Sequence, residues 1–338
     1  MGHLGIEAEC APWMSTDVIA NTTGMDALLD GHSHSLIEQE AVKNKDGEDV
    51  LLAACGTKLQ GIGYLRIAQD GTLSTGLYQW NNDVALPELL GLENDVATAV
   101  NEAVAALDEK LGEVVAKTAV DLVINDPETD VRIIRNAETN LGDLCADAYR
   151  DQSGADIAFV NGGGVRVSID AGDITLNDIL LVHPFGNAMC VVEATGQQIL
   201  DALEWGARVV PEESGGFLQV SGLTYEIHTY IESSCTQDEN GLFTGVSGEY
   251  RVKNVKVNGE DLDLEKTYTL ASHNYMLKNA GDGFTMFQND PILQDEVMLD
   301  NQVLINYITG TLGGNVGEAY ANPYGDGRIV AVTEAPAE

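Results

Sequence analysis

Residues 93–117, ENDVATAVNEAVAALDEKLGEVVAK, carry Val96, Val100, Val104, Leu107 and Leu111 at intervals of three and four. That period puts the five side chains on one face of an α-helix of about 25 residues, longer than the usual 8 to 20. Such a helix suits a connector, and it divides the chain into two parts with different patterns. The 338 residues are enough for about two domains at roughly 100–200 residues each.

Before the connector the pattern is strand-rich. STDVIANTTG predicts a short helix, MDALLD and LLAACG predict strands, and GIGYLRIAQDGTLSTGLYQW predicts a hairpin closed at Asp70-Gly71. After it, elements alternate. TNLGDLCADAYRDQ puts Leu141, Leu144, Cys145 and Ala148 on one helical face, and ADIAFV and MCVVEA read as buried strands. TGQQILDALEWGARV opens with Thr195 and Gln198 at capping-box spacing. LTYEIH, VKNVKVNGEDLDL with its Asn-Gly turn, and TYTLASH add strands, and NQVLINYITG a late helix. The expected fold class is therefore mixed α/β (α+β). Its expected parts are residues 1–92, a connector helix over 93–117, a mixed-sheet α/β domain over 118–334 and a frayed tail over 335–338.

Charge narrows the partners. With 54 acidic against 17 basic side chains, the formal net charge is −37, and such a field repels a nucleic acid polymer or an anionic membrane. A small anion can still bind where basic residues gather. The 44% hydrophobic content with only 8 prolines belongs to a folded protein. Cys10, Cys55, Cys145, Cys190 and Cys235 are widely spaced and form no CxxC pair, so buried free thiols are expected. No run of 18 apolar residues is present to span a membrane, and the first residues lack the basic and then apolar run of a signal peptide.

Three groups of residues carry chemistry. His32 and His34 leave the apolar run MDALLD; on a continuing strand they would share a side at roughly 6.6 Å, a spacing that suits one ligand for each of two metal ions. His3 adds a third imidazole. Each histidine alone is equally a surface or core residue, and three imidazoles without bridging carboxylates leave a two-metal site incomplete.

The second group is basic. Arg132, Arg135, Arg150 and Arg166 are four of the chain's eight arginines, and NGGGVR follows a predicted strand. Gly163 and its neighbours let backbone N–H groups approach a ligand, and Arg166 supplies a fork for phosphate or carboxylate. The alternative is a plain tight turn, since the spacing is neither a Walker loop nor a dinucleotide fingerprint. Third, Phe185 in PFGN and Tyr275 in NYMLKNAGDGF stand beside turn-formers, where rings either pack inward or face a ligand. Asp282, between two glycines, can accept hydrogen bonds from a sugar diol.

Together, HLG, GHSHS, RNAETNLGDLCADAYR, ADIAFVNGGGVRVSIDAGDITLNDILLVHPFGN and ASHNYMLKNAGDGFTMF resemble the motifs of the 5'-nucleotidase family, from Gly2 to about Val332. The resemblance implies a partial calcineurin-like metallophosphatase domain, one layer of its β-sandwich, over 1–92 and a nucleotide-binding domain over 118–334. It implies metal ligands at His3, His32 and His34, and two divalent ions such as zinc or manganese in the complete enzyme. It assigns phosphate to Arg135 and Arg166, the pocket lining to Asn161, Gly163 and Asn187, the base to Phe185 and Tyr275, and the ribose hydroxyls to Asp282. Residues 274–282 are one longer than the commoner pattern, which favours Tyr275 over Met276 as the second ring. The family's Asp-x-His and Gly-Asn-His-Glu segments do not occur, so the catalytic residues are expected N-terminal to Met1.

The resemblance therefore implies metal-dependent hydrolysis of nucleotide phosphate esters, with the present chain binding nucleotide or nucleoside only. A non-catalytic nucleotide-binding or cell-surface module, or a cyclic-nucleotide or nucleotide-sugar phosphohydrolase, is the alternative. The family also implies an extracellular, periplasmic or cell-surface location.

Overall fold

Three threonines start the helices that flank the largest sheet. In a computed structural model that describes residues 1–6, 10–79 and 95–335, Thr139 Oγ accepts from Gly142 N ahead of the helix Asn140–Ser153. Thr175 and Thr195 form complete capping boxes with Asp178 and Gln198 ahead of Leu176–Val182 and Gly196–Ala207. Each box satisfies backbone donors that the first helical turn leaves without partners, which fixes where these helices begin.

The chain divides into two compact units, Met1–Val100 and Asn101–Glu338. In the first, Ala27–Asp30 pairs in parallel with Asp49–Cys55, which pairs antiparallel with Leu36–Lys43. The last strand was not expected; its side chains are mostly exposed, so LIEQEAVK shows little apolar alternation. Gly61–Ile67 and Leu73–Gln79 form the expected hairpin. Ile19, Leu28, Val50 and Leu52 make a small core.

The expected connector helix is shorter than its sequence pattern. It spans Asp95–Leu111, residues 93 and 94 lying outside the described residues, and Val114–Thr118 is a strand rather than its last turns. That strand pairs with Gly172–Thr175 and Asn315–Val316. The β-branched pair in VVAKT is better suited to a sheet than to a helix end, and the ladder decides it. Val100, Val104 and Leu107 stand 48–54% exposed on the helix.

The second unit is built on a five-stranded sheet in the order Leu218–Ser221, Ile157–Asn161, Thr267–His273, Met189–Thr195, Ile292–Gln294. Ile157–Asn161 and Thr267–His273 run parallel, and the other neighbours are antiparallel. Helices cover both faces, so the strand IAFVN is buried at every residue instead of alternating. Ala158 and Val160 pack with Leu141, Leu144, Cys145 and Tyr149; Ile157 and Phe159 pack with Ile199, Leu203 and Trp205. Each such Leu, Ile or Phe contributes about 1.5–3 kcal/mol by its burial.

A second sheet, Glu260–Asp261, Val252–Val257, Leu223–His228 and Ile329–Val332, contains the expected hairpin. Asn258 and Gly259 both take positive φ there, as a two-residue turn of this kind requires. The architecture is mixed α/β, as the sequence pattern predicts. All five cysteines are free; Cys145 and Cys190 are buried, whereas Cys55 is exposed, contrary to expectation. Among the described residues no helix is long and apolar enough to cross a membrane.

Candidate functional site

Strand direction brings four loops to one end of the five-stranded sheet. The parallel strands Ile157–Asn161 and Thr267–His273 finish there, at Asn161 and His273. Their antiparallel neighbours begin there, with His273 opposite Met189 and Asn161 opposite Leu218. The segments just outside the strands are Gly162–Gly164, Phe185–Asn187, Gly215–Gly216 and Tyr275–Asp282. They enclose a cavity of about 500 Å³ lined by Arg135, Asn161, Gly163, Arg166, Phe185, Asn187, Tyr275 and Asp282, together with Gly164 and Gly215. All eight residues singled out from the sequence for ligand binding therefore meet in one place.

Two cations face this cavity. Burial, and the nearby charges of Arg132 and Arg166, lower Arg135 below the usual guanidinium range, and its buried Nε has no hydrogen-bond partner. An anion offsets the like charges and the missing partner, because it supplies both an acceptor and a neutralising charge. Arg166 is exposed, donates to Gly163 O at 3.3 Å and stands 5.7 Å from the Phe185 ring centroid. The other two arginines of the cluster do not line the cavity. Arg132 is paired with Glu213, and Arg150 donates to Asp156 O and Asn258 Oδ1.

Two amides of the glycine loop are engaged within the protein and do not serve the expected backbone cradle. Gly162 N donates to Phe217 O and Gly163 N to Gly215 O, so neither amide is free for a ligand. A Cβ on Gly162 would lie 2.2 Å from Ile134 O, and one on Gly163 would lie 3.0 Å from Gly215. These two glycines let three backbone segments approach closely.

Two rings border the cavity. Phe185 is 60% exposed. Tyr275 lies against Gly281, where a Cβ would overlap its ring at 2.3 Å, and is 39% exposed. Met276 is fully buried and does not compete for this role. The Tyr275 hydroxyl donates to Asp282 Oδ1 at 3.1 Å, and Asn161 Nδ2 donates to Asp282 Oδ2 at 2.7 Å. Trp205 Nε1 donates to Asp282 O at 2.8 Å and holds the turn from the other side.

His273, Trp205 and Gly215 were not singled out from the sequence. Gly215 was visible only as part of a tandem glycine. His273 is buried 2.9 Å from Asn161 Oδ1, and burial, with His183 beside it, pushes its imidazole down to about 3.

His3, His32 and His34, the histidines singled out from the sequence, belong to the first unit. His3 and His32 come together edge to face, with ring centroids 4.9 Å apart. Beneath them Asp30 accepts from Leu4 N, Gly5 N and Ser15 Oγ. Burial works against its charge, yet these bonds and one from Gly31 N outweigh it and bring the carboxyl down to about 2. His34 does not continue a strand, which corrects the reading of His32 and His34 as same-side neighbours. The strand stops at Asp30, the chain turns through Gly31–His34, and His34 has φ 52°.

Two exposed imidazoles suit a borderline-soft divalent ion. Among the described residues, however, the one group of three ligand atoms within 4.8 Å is Glu138, Asp143 and Asp326, not these histidines. That acidic group already has its cation. Arg328 reaches Asp147 at 2.7 and 2.9 Å, Asp326 at 2.9 Å and Asp143 at 3.6 Å. Glu138 accepts from Gly327 N and Ile329 N. The cluster thereby ties the strand Ile329–Val332 to the helix Asn140–Ser153.

Comparison with known proteins places the chain in a family. The family model described as "5'-nucleotidase, C-terminal domain" matches residues 114–289. The trifunctional nucleotide phosphoesterase protein YfkN of Bacillus subtilis is 29% identical over 330 residues, 91% of this chain and 20% of that protein. A 5'-nucleotidase of Vibrio cholerae is 34% identical over 183 residues, 54% of this chain and 29% of that protein. The crystal structure of a 5'-nucleotidase precursor from Thermus thermophilus superposes with a TM-score of 0.57 at 26% identity, covering 95% of this chain and 62% of that one. The chain thus spans 20% and 29% of the length of these two curated relatives.

Proposed function

The chain belongs to the 5'-nucleotidase C-terminal domain family, and from that premise we propose that the cavity of its second unit binds a nucleotide. Arg135 and Arg166 take the phosphate, the partly exposed rings of Phe185 and Tyr275 take the base, and Asp282 accepts the ribose hydroxyls. Asn161, Gly163 and Asn187 complete the wall. The observation that carries this reading is the meeting of two guanidinium groups, two partly exposed rings and one carboxylate in a single cavity of about 500 Å³.

The reaction of the complete enzyme is hydrolysis of a nucleotide phosphate ester. Two divalent ions, zinc, manganese or similar, would supply an activated water and Lewis acidity. His3 and His32, with His34, would contribute ligands. This chain's share of the work is binding and orientation: the guanidinium groups offset phosphate charge, and the rings and Asp282 fix the nucleoside. Among the described residues no third ligand atom gathers around His3 and His32, and the reading supposes further ligands for catalysis. An exported location, periplasmic, extracellular or at the cell surface, goes with this function.

Calorimetry with AMP and adenosine tests the binding, and phosphate release from AMP with zinc or manganese tests the catalysis. The expected outcome is binding of both ligands with negligible phosphate release. Robust metal-dependent release by these 338 residues would remove the need for further ligands, and no saturable binding of either ligand would sink the proposal. A non-catalytic nucleotide-binding module is favoured over an enzyme segment if zinc fails to bind at His3 and His32.

A further inference from the structure

We propose that His273 is a positioning residue for sugar recognition: through the amide of Asn161 it aims the Asp282 carboxylate so that both oxygens stay open to a vicinal diol. The inference rests on the reading of Asp282 as the ribose acceptor.

The argument begins at the helix Asn274–Leu277. His273 is its N-cap, and its ring nitrogen Nδ1 accepts from Met276 N at 3.4 Å. A nitrogen that accepts carries no proton. The ring is 2% exposed and neutral, so its one proton resides on Nε2. Nε2 lies 2.9 Å from Asn161 Oδ1, and that contact settles the amide orientation, because the flipped amide would set two donors against each other. Asn161 then presents Nδ2 to Asp282 Oδ2 at 2.7 Å.

The Tyr275 hydroxyl holds the other oxygen at 3.1 Å. Each carboxylate oxygen thus receives one donor from the protein. An ionised carboxylate has about four acceptor directions, so about two remain, one per oxygen. Two adjacent hydroxyl groups match that number. Space supports the same chain of contacts: a Cβ on Gly164 would sit 2.6 Å from Asn161 Oδ1 and displace the amide.

The test uses the 338-residue chain, with adenosine and 2',3'-dideoxyadenosine as probes. The wild type is expected to bind adenosine roughly tenfold or more tightly, as two hydrogen bonds to a charged acceptor imply. His273→Leu should shrink that ratio to about threefold or less while leaving dideoxyadenosine affinity within about twofold. His273→Gln should restore the ratio, since its amide can place a donor at the Nε2 position.

An undiminished ratio in His273→Leu overturns the inference and leaves the ribose reading intact. A wild type that does not distinguish the two nucleosides overturns both. Should His273→Leu fail to fold, the wild-type chain still decides. A long-range 1H–15N spectrum must show the His273 proton on Nε2, and a proton on Nδ1 refutes the proposed direction of the chain.

Discussion

Truncation of Phe185 separates binding from folding more cleanly than any other change at the cavity. The ring is 60% exposed and makes its one close charged contact with Arg166, whose guanidinium carbon is 5.7 Å from the centroid. Phe185→Ala therefore removes little packing, and stability should stay within about 0.5 kcal/mol, as for surface positions without special features. A stacked base is another matter, since base–aromatic stacking is worth about 1–3 kcal/mol by alanine substitution, or roughly 5- to 150-fold in Kd.

The expected result is an unchanged melting temperature with adenosine and AMP affinities both reduced within that range. Tyr275→Ala should lose more, because the same ring also donates to Asp282. Calorimetric titration and thermal unfolding of the two variants supply the comparison. Phe185→Ala binding within twofold of wild type, while Asp282→Ala abolishes it, would refute the stacking role. A large loss of thermal stability would instead show that the ring is structural.

Three other perturbations have definite outcomes. Burial, with Glu138 and Asp326 nearby, raises the Asp143 carboxyl despite Arg328 and so favours its neutral form; Asp143→Asn should unfold in denaturant within about 1 kcal/mol of wild type. Arg328→Ala leaves Asp147 without its part-buried partner and should cost about 1.5–3 kcal/mol in the same assay. Asp300 receives Asn187 N at 3.1 Å, and burial pushes its carboxyl up to about 6. The folded state then holds a proton that the unfolded chain releases near pH 3.9. This contribution to stability is complete below about pH 4 and is lost as pH rises through about 6, a slope that Asp300→Asn should remove from pH-dependent unfolding curves.

Much of the fold is local and therefore legible in the chain. The capping box at Thr195 and Gln198, the Asn258-Gly259 turn and the buried face of Leu141, Leu144, Cys145 and Ala148 each depend on residues a few positions apart. Residue types alone also marked Arg135, Arg166, Phe185, Tyr275 and Asp282 as chemistry. Local period misled where a ladder competed, as at Val114–Thr118, and where a strand ended early, as before His32.

What tertiary structure decided is which distant groups meet. His273 and Asn161 are 112 residues apart, Asn161 and Asp282 are 121 apart, and Arg328 reaches Asp147 across 181. Strand order and direction set these encounters, and neither leaves a periodic trace in sequence. Gly162 shows the same division. The chain displays a glycine whose function is open, and only the nearby carbonyl of Ile134 explains why no side chain fits there. Sequence thus carries the elements and the reactive groups, while packing across the sheet determines their partners, because hydrogen bonds depend on proximity in space.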